Sequence, residues 1–303
     1  MRAILQFILS VAIPLFAIAS MASVGAGNSL REVTKPFRRP TMLVTALSAN
    51  FVAVPLLCVL IIRVLRVPDT YAAGLFLVSC AGGAAFLIAL AQMARSDVAL
   101  AGGHLLILMP ATIIFMPLVV PWALPEANVN VPAIARPLVL TMLLPLGAGM
   151  LFRRWFGKLV PKVMPVLGRV SKYSLVTLIA VTVILNARGV VSLLSTPALP
   201  AALLLVLGAL IIGFVASVPS HHGRVVLALG TGQRNIAASM LVASSSFESP
   251  EPLVMVVVTS LVGFAILFPA AAVFRRALEK RGKARGVRFE HEQRSPFDER
   301  QRV

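Results

Sequence analysis

The residues best equipped for chemistry lie in one short stretch, Gly230-Thr231-Gly232-Gln233-Arg234-Asn235, set in the middle of an apolar run. Glycines let a helix unwind there, and the hydroxyl and amides can satisfy the backbone groups that unwinding frees. An arginine at the centre of a membrane helix costs about 2.5 kcal/mol or more, so Arg234 must face a polar cavity or a partner. Two chemistries fit it. One is neutralising a bound anion, with the guanidinium as a bidentate fork to a carboxylate. The other is structural, with the guanidinium satisfied by backbone carbonyls of an unwound segment. A second glycine cluster, Cys80-Ala81-Gly82-Gly83-Ala84-Ala85-Phe86, interrupts another apolar run, and Gly82 precedes Gly232 by 150 residues.

Other chemistries are missing their parts. The six acids before the C-terminal tail, Glu32, Asp69, Asp97, Glu126, Glu248 and Glu251, all fall at or outside the ends of apolar runs. Embedded carboxylates are the usual proton carriers and hard-cation ligands, so a carboxylate-based proton pump, a cation exchanger and metal-dependent prenyl transfer are disfavoured. No Ser–His–Asp set or His-rich metal site assembles, and the chain does not read as an enzyme or as needing a cofactor. His104 reads as a packing or interfacial histidine, with a proton relay as the alternative; His221 and His222 read as solvated in a short loop. Cys58 and Cys80 read as small buried residues.

The elements that must position these groups follow from composition. Of 303 residues, 58% are hydrophobic and 13% charged, with a formal net charge of +17; soluble domains carry about 25% charged residues. Nucleic-acid binding needs a hydrophilic basic face, whereas these basic residues sit in short clusters between apolar runs. With roughly 20 residues per crossing, nine membrane spans are predicted, at 3–24, 42–62, 72–94, 98–120, 137–152, 174–187, 198–218, 225–244 and 252–274. The fold class is therefore an all-α polytopic membrane protein. Residues 1–274 form its transmembrane domain and 275–303 a basic cytoplasmic tail or surface helix.

Charge sets the orientation. With nine spans, 22 of the 28 Lys and Arg fall on one side and five on the other, leaving Arg234 inside. The positive-inside rule then puts the N-terminus outside and the C-terminus in the cytoplasm of a cell (inner) membrane. The first run also has features of a signal peptide. Cleavage, however, would leave Arg31, Lys35, Arg38 and Arg39 outside, so a retained first span is expected.

Interrupted helices five spans apart, and so running in opposite directions, mark a secondary-transporter binding site built from inverted repeats. At this point the chain resembles the bile acid:sodium symporter family. The resemblance runs over about residues 40 to 274 and is carried by Asn50-Phe51 with Pro55-Leu56, by Cys80 to Gly83, by Ala94-Arg95-Ser96-Asp97-Val98-Ala99-Leu100 and by Thr231 to Asn235. It implies a core and a panel domain, with two broken helices crossing near mid-membrane in the third and eighth spans, and sodium symport of an organic anion. Sodium-coupled members place a glutamate before the Thr-Gly and a glutamine before the Asn, where this chain has Gly230 and Arg234. Leu106 and Met109 stand where hydroxyls are expected, and Phe86-Leu87 where a Ser-Asn pair is expected. Only Asn50 and Asn235 keep a polar ligand type, which argues against sodium coupling and suggests that the Arg234 guanidinium replaces the missing cation.

The expected function is alternating-access transport of a small organic anion, bound by Arg234, Gln233, Asn235, Thr231, Asn50, Gly82 and Gly83. The partners are that anion and the lipid bilayer, with no nucleic acid. A non-transporting membrane sensor, with the tail as output surface and a vestigial ligand site, is the alternative. Fusions test the orientation: alkaline phosphatase should be active at the N-terminus and inactive at the C-terminus, with the reverse pattern for a fluorescent protein.

Overall fold

A computed structural model describes residues 2–28, 40–124, 131–216 and 221–284. Every regular element among them is helical: α1 (Arg2–Gly27), α2 (Pro40–Ser48), α3 (Val54–Leu65), α4 (Asp69–Cys80), α5 (Phe86–Met93), α6 (Val98–Ala123), α7 (Val131–Leu138), α8 (Leu144–Phe156), α9 (Val160–Leu185), α10 (Ala187–Leu194), α11 (Ala198–Val215), α12 (His221–Gly232), α13 (Ile236–Ser246) and α14 (Glu251–Ala284). π-helical turns at Ala49–Ala53 and Val139–Leu143 join α2 to α3 and α7 to α8. Arg31, Lys35, Arg38, Arg39, Glu126 and the chain beyond Ala284 lie outside the described residues.

Seven helical stretches are long and apolar enough to cross a membrane. Their outward faces are apolar too, with Phe7 69%, Val64 69%, Trp122 83% and Val215 75% exposed, a surface suited to lipid. The chain is an integral, multi-pass membrane protein.

Several predicted boundaries shift. The third expected span, 72–94, is two helices of 12 and 8 residues separated at Ala81–Ala85, so neither reaches membrane length alone. The stretch 153–173, expected as a loop, is helical except for the 3-10 turn Gly157–Leu159. Basic residues spaced as Lys162, Arg169 and Lys172 are compatible with an exposed helical face, because long cationic side chains extend their heads toward water. The last helix continues ten residues past Phe274, and there Glu279 meets Arg275 at 3.1 Å and Arg95 at 2.9 Å. His221 and His222 open α12 instead of lying in a loop, and the His222 carbonyl accepts from Ser96 Oγ at 3.1 Å.

Two groups of helices emerge from the packing. α1 lies against both α8 and α9. Its Gly25 faces the Leu146 carbonyl and Gly149, its Ser23 meets Met164, and its Ser20 meets Ser171 at 2.7 Å. Moving back along α1 therefore means moving back along α8 but forward along α9, so the chain reverses at the 3-10 turn. Arg153 fixes the end of this group by donating to the Ala26 and Gly27 carbonyls at 3.3 and 2.6 Å. In the second group α12 packs on α11 and α14 on α4. The α12–α13 segment is enclosed, with every residue from Val225 to Ala243 buried.

Apolar lipid gives little hydrophobic drive to helix association, so close backbone approach at small residues matters. A Cβ on Gly149 would sit 2.4 Å from the Ala22 carbonyl oxygen, whereas one on Gly147 would meet nothing within 4 Å. Gly149→Val should force α1 and α8 apart and cost about 1–3 kcal/mol. It should show as a lower unfolding temperature in detergent, with Gly147→Val close to wild type.

Candidate functional site

Local sequence prepares each part of the site. In the π-helical turn the Val54 N–H bonds to the Ala49 carbonyl, five residues back. The next N–H in that register would serve the Asn50 carbonyl, but residue 55 is proline and has none. Asn50 therefore presents a free carbonyl and its side-chain amide at one buried point, and π-helical turns are frequent where a helix serves a site. Helix α4 stops at Cys80 because the glycines follow. Gly83 has φ +74°, and a Cβ on it would lie 2.7 Å from the Met109 backbone nitrogen, so only glycine fits. Helix α12 ends at Gly232, and Asn235 starts α13 with its side chain accepting from the Ala238 N–H at 3.2 Å, a standard N-cap.

The two interruptions interlock. The Asn235 N–H donates to the Ala81 carbonyl at 2.8 Å, and its side-chain amide donates to the Gly83 carbonyl at 3.0 Å. Thr112 Oγ1 of α6 holds the Gly82 carbonyl at 2.8 Å. Unwound backbone deep in the protein is thus hydrogen-bonded at each of Ala81, Gly82 and Gly83.

Arg234 is the centre of this network. It is 4% exposed, and each of its five N–H donors has an oxygen. Nε donates to the Val78 carbonyl at 3.1 Å. Nη1 donates to Asn50 Oδ1 at 2.7 Å and to the Thr231 carbonyl at 3.1 Å. Nη2 donates to the Asn50 carbonyl at 3.4 Å and the Ser79 carbonyl at 2.5 Å. Val78 and Ser79 belong to the last turn of α4, and Thr231 to the last turn of α12. Those are carbonyls that helix ends leave unpaired, and each C-terminus carries roughly half a negative charge. Two such ends balance one guanidinium. Among the described residues no carboxylate pairs with it.

The opposite ends of the interrupted helices border open space. A cavity of about 1400 Å³ runs from Gly27, Gln92, Asp97 and Lys172 inward to Gln233, Arg234, Asn235, Ile236 and Ala237. α1 and α9 line one wall, while Ala84 and Ala85 leading into α5, its first residue Phe86, and the first residues of α13 line the other. No side chain caps α5, so its N-terminal field is not offset locally. Of the seven expected site residues, Gln233, Arg234 and Asn235 reach the cavity. Thr231, Asn50, Gly82 and Gly83 lie in the layer behind, tied to Arg234 or to the crossing. Asn50 Nδ2 reaches Thr231 Oγ1 at 3.2 Å. In this conformation the guanidinium has no donor left for an anion. Sequence reading missed Thr112. The half-helix N-termini are among the polar contacts the sequence leads one to expect for the anion, and Phe86 and Ile236, which open α5 and α13, line the cavity.

The family model described as the Sodium Bile acid symporter family matches residues 13–193. The chain belongs to that family. Members of the sodium bile acid symporter family are transporters, and the matched segment contains Asn50, the first interruption and Thr112. It ends before the second interruption, so Arg234 lies outside it. No curated protein matches the chain. Sodium is the ion in the family's name; at this crossing five oxygens surround the guanidinium instead, and among the described residues no carboxylate joins them. Cys58 and Cys80, both buried and unpaired as thiols, offer no hard oxygen.

Arg234→Lys keeps the charge but has three donors for five oxygens. Each buried acceptor left unmet costs about 1–3 kcal/mol. The variant should unfold at a clearly lower temperature than wild type; an unchanged temperature would remove the network's structural role.

Proposed function

We propose that this protein is a secondary-active carrier of an organic anion, working by alternating access, with Arg234 in place of a sodium ion at the crossing. The observation that carries this reading is the saturation of Arg234 by oxygens of two helix C-termini and Asn50, while the N-terminal residues of α5 and α13 line a large cavity. The C-terminal ends are already neutralised, so the N-terminal ends supply the positive field for a substrate anion. Gln233 and Asn235 stand at the anion's position. Thr231, Asn50, Gly82 and Gly83 hold the crossing in shape behind them.

In this reading residues 1–274 cross the membrane nine times as two inverted repeats, with α4–α5 as the broken third crossing and α12–α13 as the broken eighth. The helices α1, α8 and α9 form the panel, and the others the core. The N-terminus is outside and residues 275–303 are a cytoplasmic tail. The cavity then opens to the cytoplasm between panel and core, and rocking of one against the other would close it there and open it outside. Its volume of about 1400 Å³ exceeds the roughly 300–1,000 Å³ of drug-sized pockets, and most of its lining is apolar. Those walls suit an anion with a substantial apolar body.

Purified protein in liposomes tests this with radiolabelled taurocholate and pyruvate. Wild type should take up at least one of them saturably, and at an unchanged rate when sodium is replaced by N-methylglucamine. Strict sodium dependence would overturn the tethered-cation reading. Arg234→Ala should lose at least tenfold in uptake. Its emptied oxygen cluster should make its unfolding temperature respond to sodium, which wild type should not do.

A further inference from the structure

One buried titratable group has no part in the network. His104, on α6, is fully buried, and neither Nδ1 nor Nε2 has a hydrogen-bond partner. Its ring occupies the space a side chain at position 230 would fill: a Cβ on Gly230 would lie 2.5 Å from Cδ2 and 2.6 Å from Nε2. Leu87 of α5 closes the same space, its Cδ2 3.1 Å from that point. Gly230 is four residues before Arg234. His104 itself does not line the cavity, but its neighbours in sequence Gly102 and Gly103 do, as does Phe86 next to Leu87. The imidazole therefore lies one residue removed from the cavity lining on both α6 and α5.

A neutral imidazole has one donor and one acceptor to satisfy, and here both go unmet. Leucine or phenylalanine would fill the same space without that penalty. What the ring offers is a proton site. The charged and titratable groups on the neighbouring helices are few. On α12 they are His221, His222 and Arg224, six to nine residues before Gly230, and Arg234 follows that helix. At the N-cap of α6 there is Asp97, seven residues away, or about 10 Å along the helix axis. α4 carries Asp69, Tyr71 and Cys80, α7 carries Arg136, and α2 and α5 carry none; Arg95, just past α5, is engaged with Glu279. Arg234, four residues beyond Gly230, carries a full positive charge, and an imidazolium near it needs a negative partner.

The anion in the cavity is that partner. We propose, building on the carrier reading above, that His104 takes up one proton from solution as an organic anion binds, making the cycle an anion–proton symport. The proton bonds to one ring nitrogen as the anion arrives, and both leave on the other side. For a monovalent anion the added charge is zero. By linkage, acid strengthens anion binding as much as the anion strengthens proton binding.

The test uses the full chain in detergent, lightly buffered near neutral pH with a pH-indicator dye, to which taurocholate or pyruvate is added. Both stay ionised there, and binding is followed in parallel by equilibrium dialysis. Wild type should take up about one proton per anion bound. His104→Gln should bind more weakly and take up none, with its unfolding temperature confirming that it is folded. Anion binding to wild type without proton uptake, or unchanged uptake in His104→Gln, overturns the inference and leaves the carrier reading standing. Binding of neither anion to wild type removes the carrier reading and this inference with it.

Discussion

A single guanidinium holding the ends of two interrupted helices is the constraint on which the remaining structure depends. Breaking a helix inside a membrane protein strands carbonyls at one end and N–H groups at the other. In this chain two breaks face each other, so the stranded groups concentrate at one buried place. Arg234 resolves the negative half of that problem by bonding to Val78, Ser79 and Thr231 and anchoring on Asn50. Of the positive half, α13 is capped by Asn235 whereas α5 has no side-chain cap and stays open at the cavity. In the proposed carrier that asymmetry gives the anion site its sign.

The surrounding elements can be understood as supports for that arrangement. Pro55 frees the Asn50 carbonyl by lacking an N–H, and Gly83 lets the chain turn where a Cβ would strike the Met109 backbone. Asn235 serves both breaks, capping α13 with its oxygen and holding the Gly83 carbonyl with its nitrogen. Because one side chain has both tasks, the two interruptions position each other instead of being set separately by their own helices.

Much of this was legible in the sequence. The glycine clusters, the lone embedded arginine and the lack of embedded acids led to an all-helical membrane protein of this family with a paired interruption. Sequence also offered both roles for Arg234, as anion fork and as structural cation, but not the direction of its donors, which depends on where α4 stops relative to α12. The helical extent of 153–173 was hidden because clustered basic residues look the same in a loop and on an exposed helix face. The cavity wall was hidden for another reason. Ala84, Ala85, Ile236 and Ala237 line it with small or apolar side chains that carry no signal in the sequence. His104 was visible as a residue, but the Gly230 surface against it was visible only in three dimensions.

The tethered cation has an electrical consequence. A dissociable ion crosses the membrane potential with its carrier and leaves, so voltage does work on it at about 2.3 kcal/mol per charge for each 100 mV. Arg234 is bonded to the two helix ends that oppose its charge, and in the proposed carrier all three shift as one unit when the core moves. Their charges nearly cancel, so the field finds little to act on. A carrier built this way would return empty at a rate almost independent of membrane voltage.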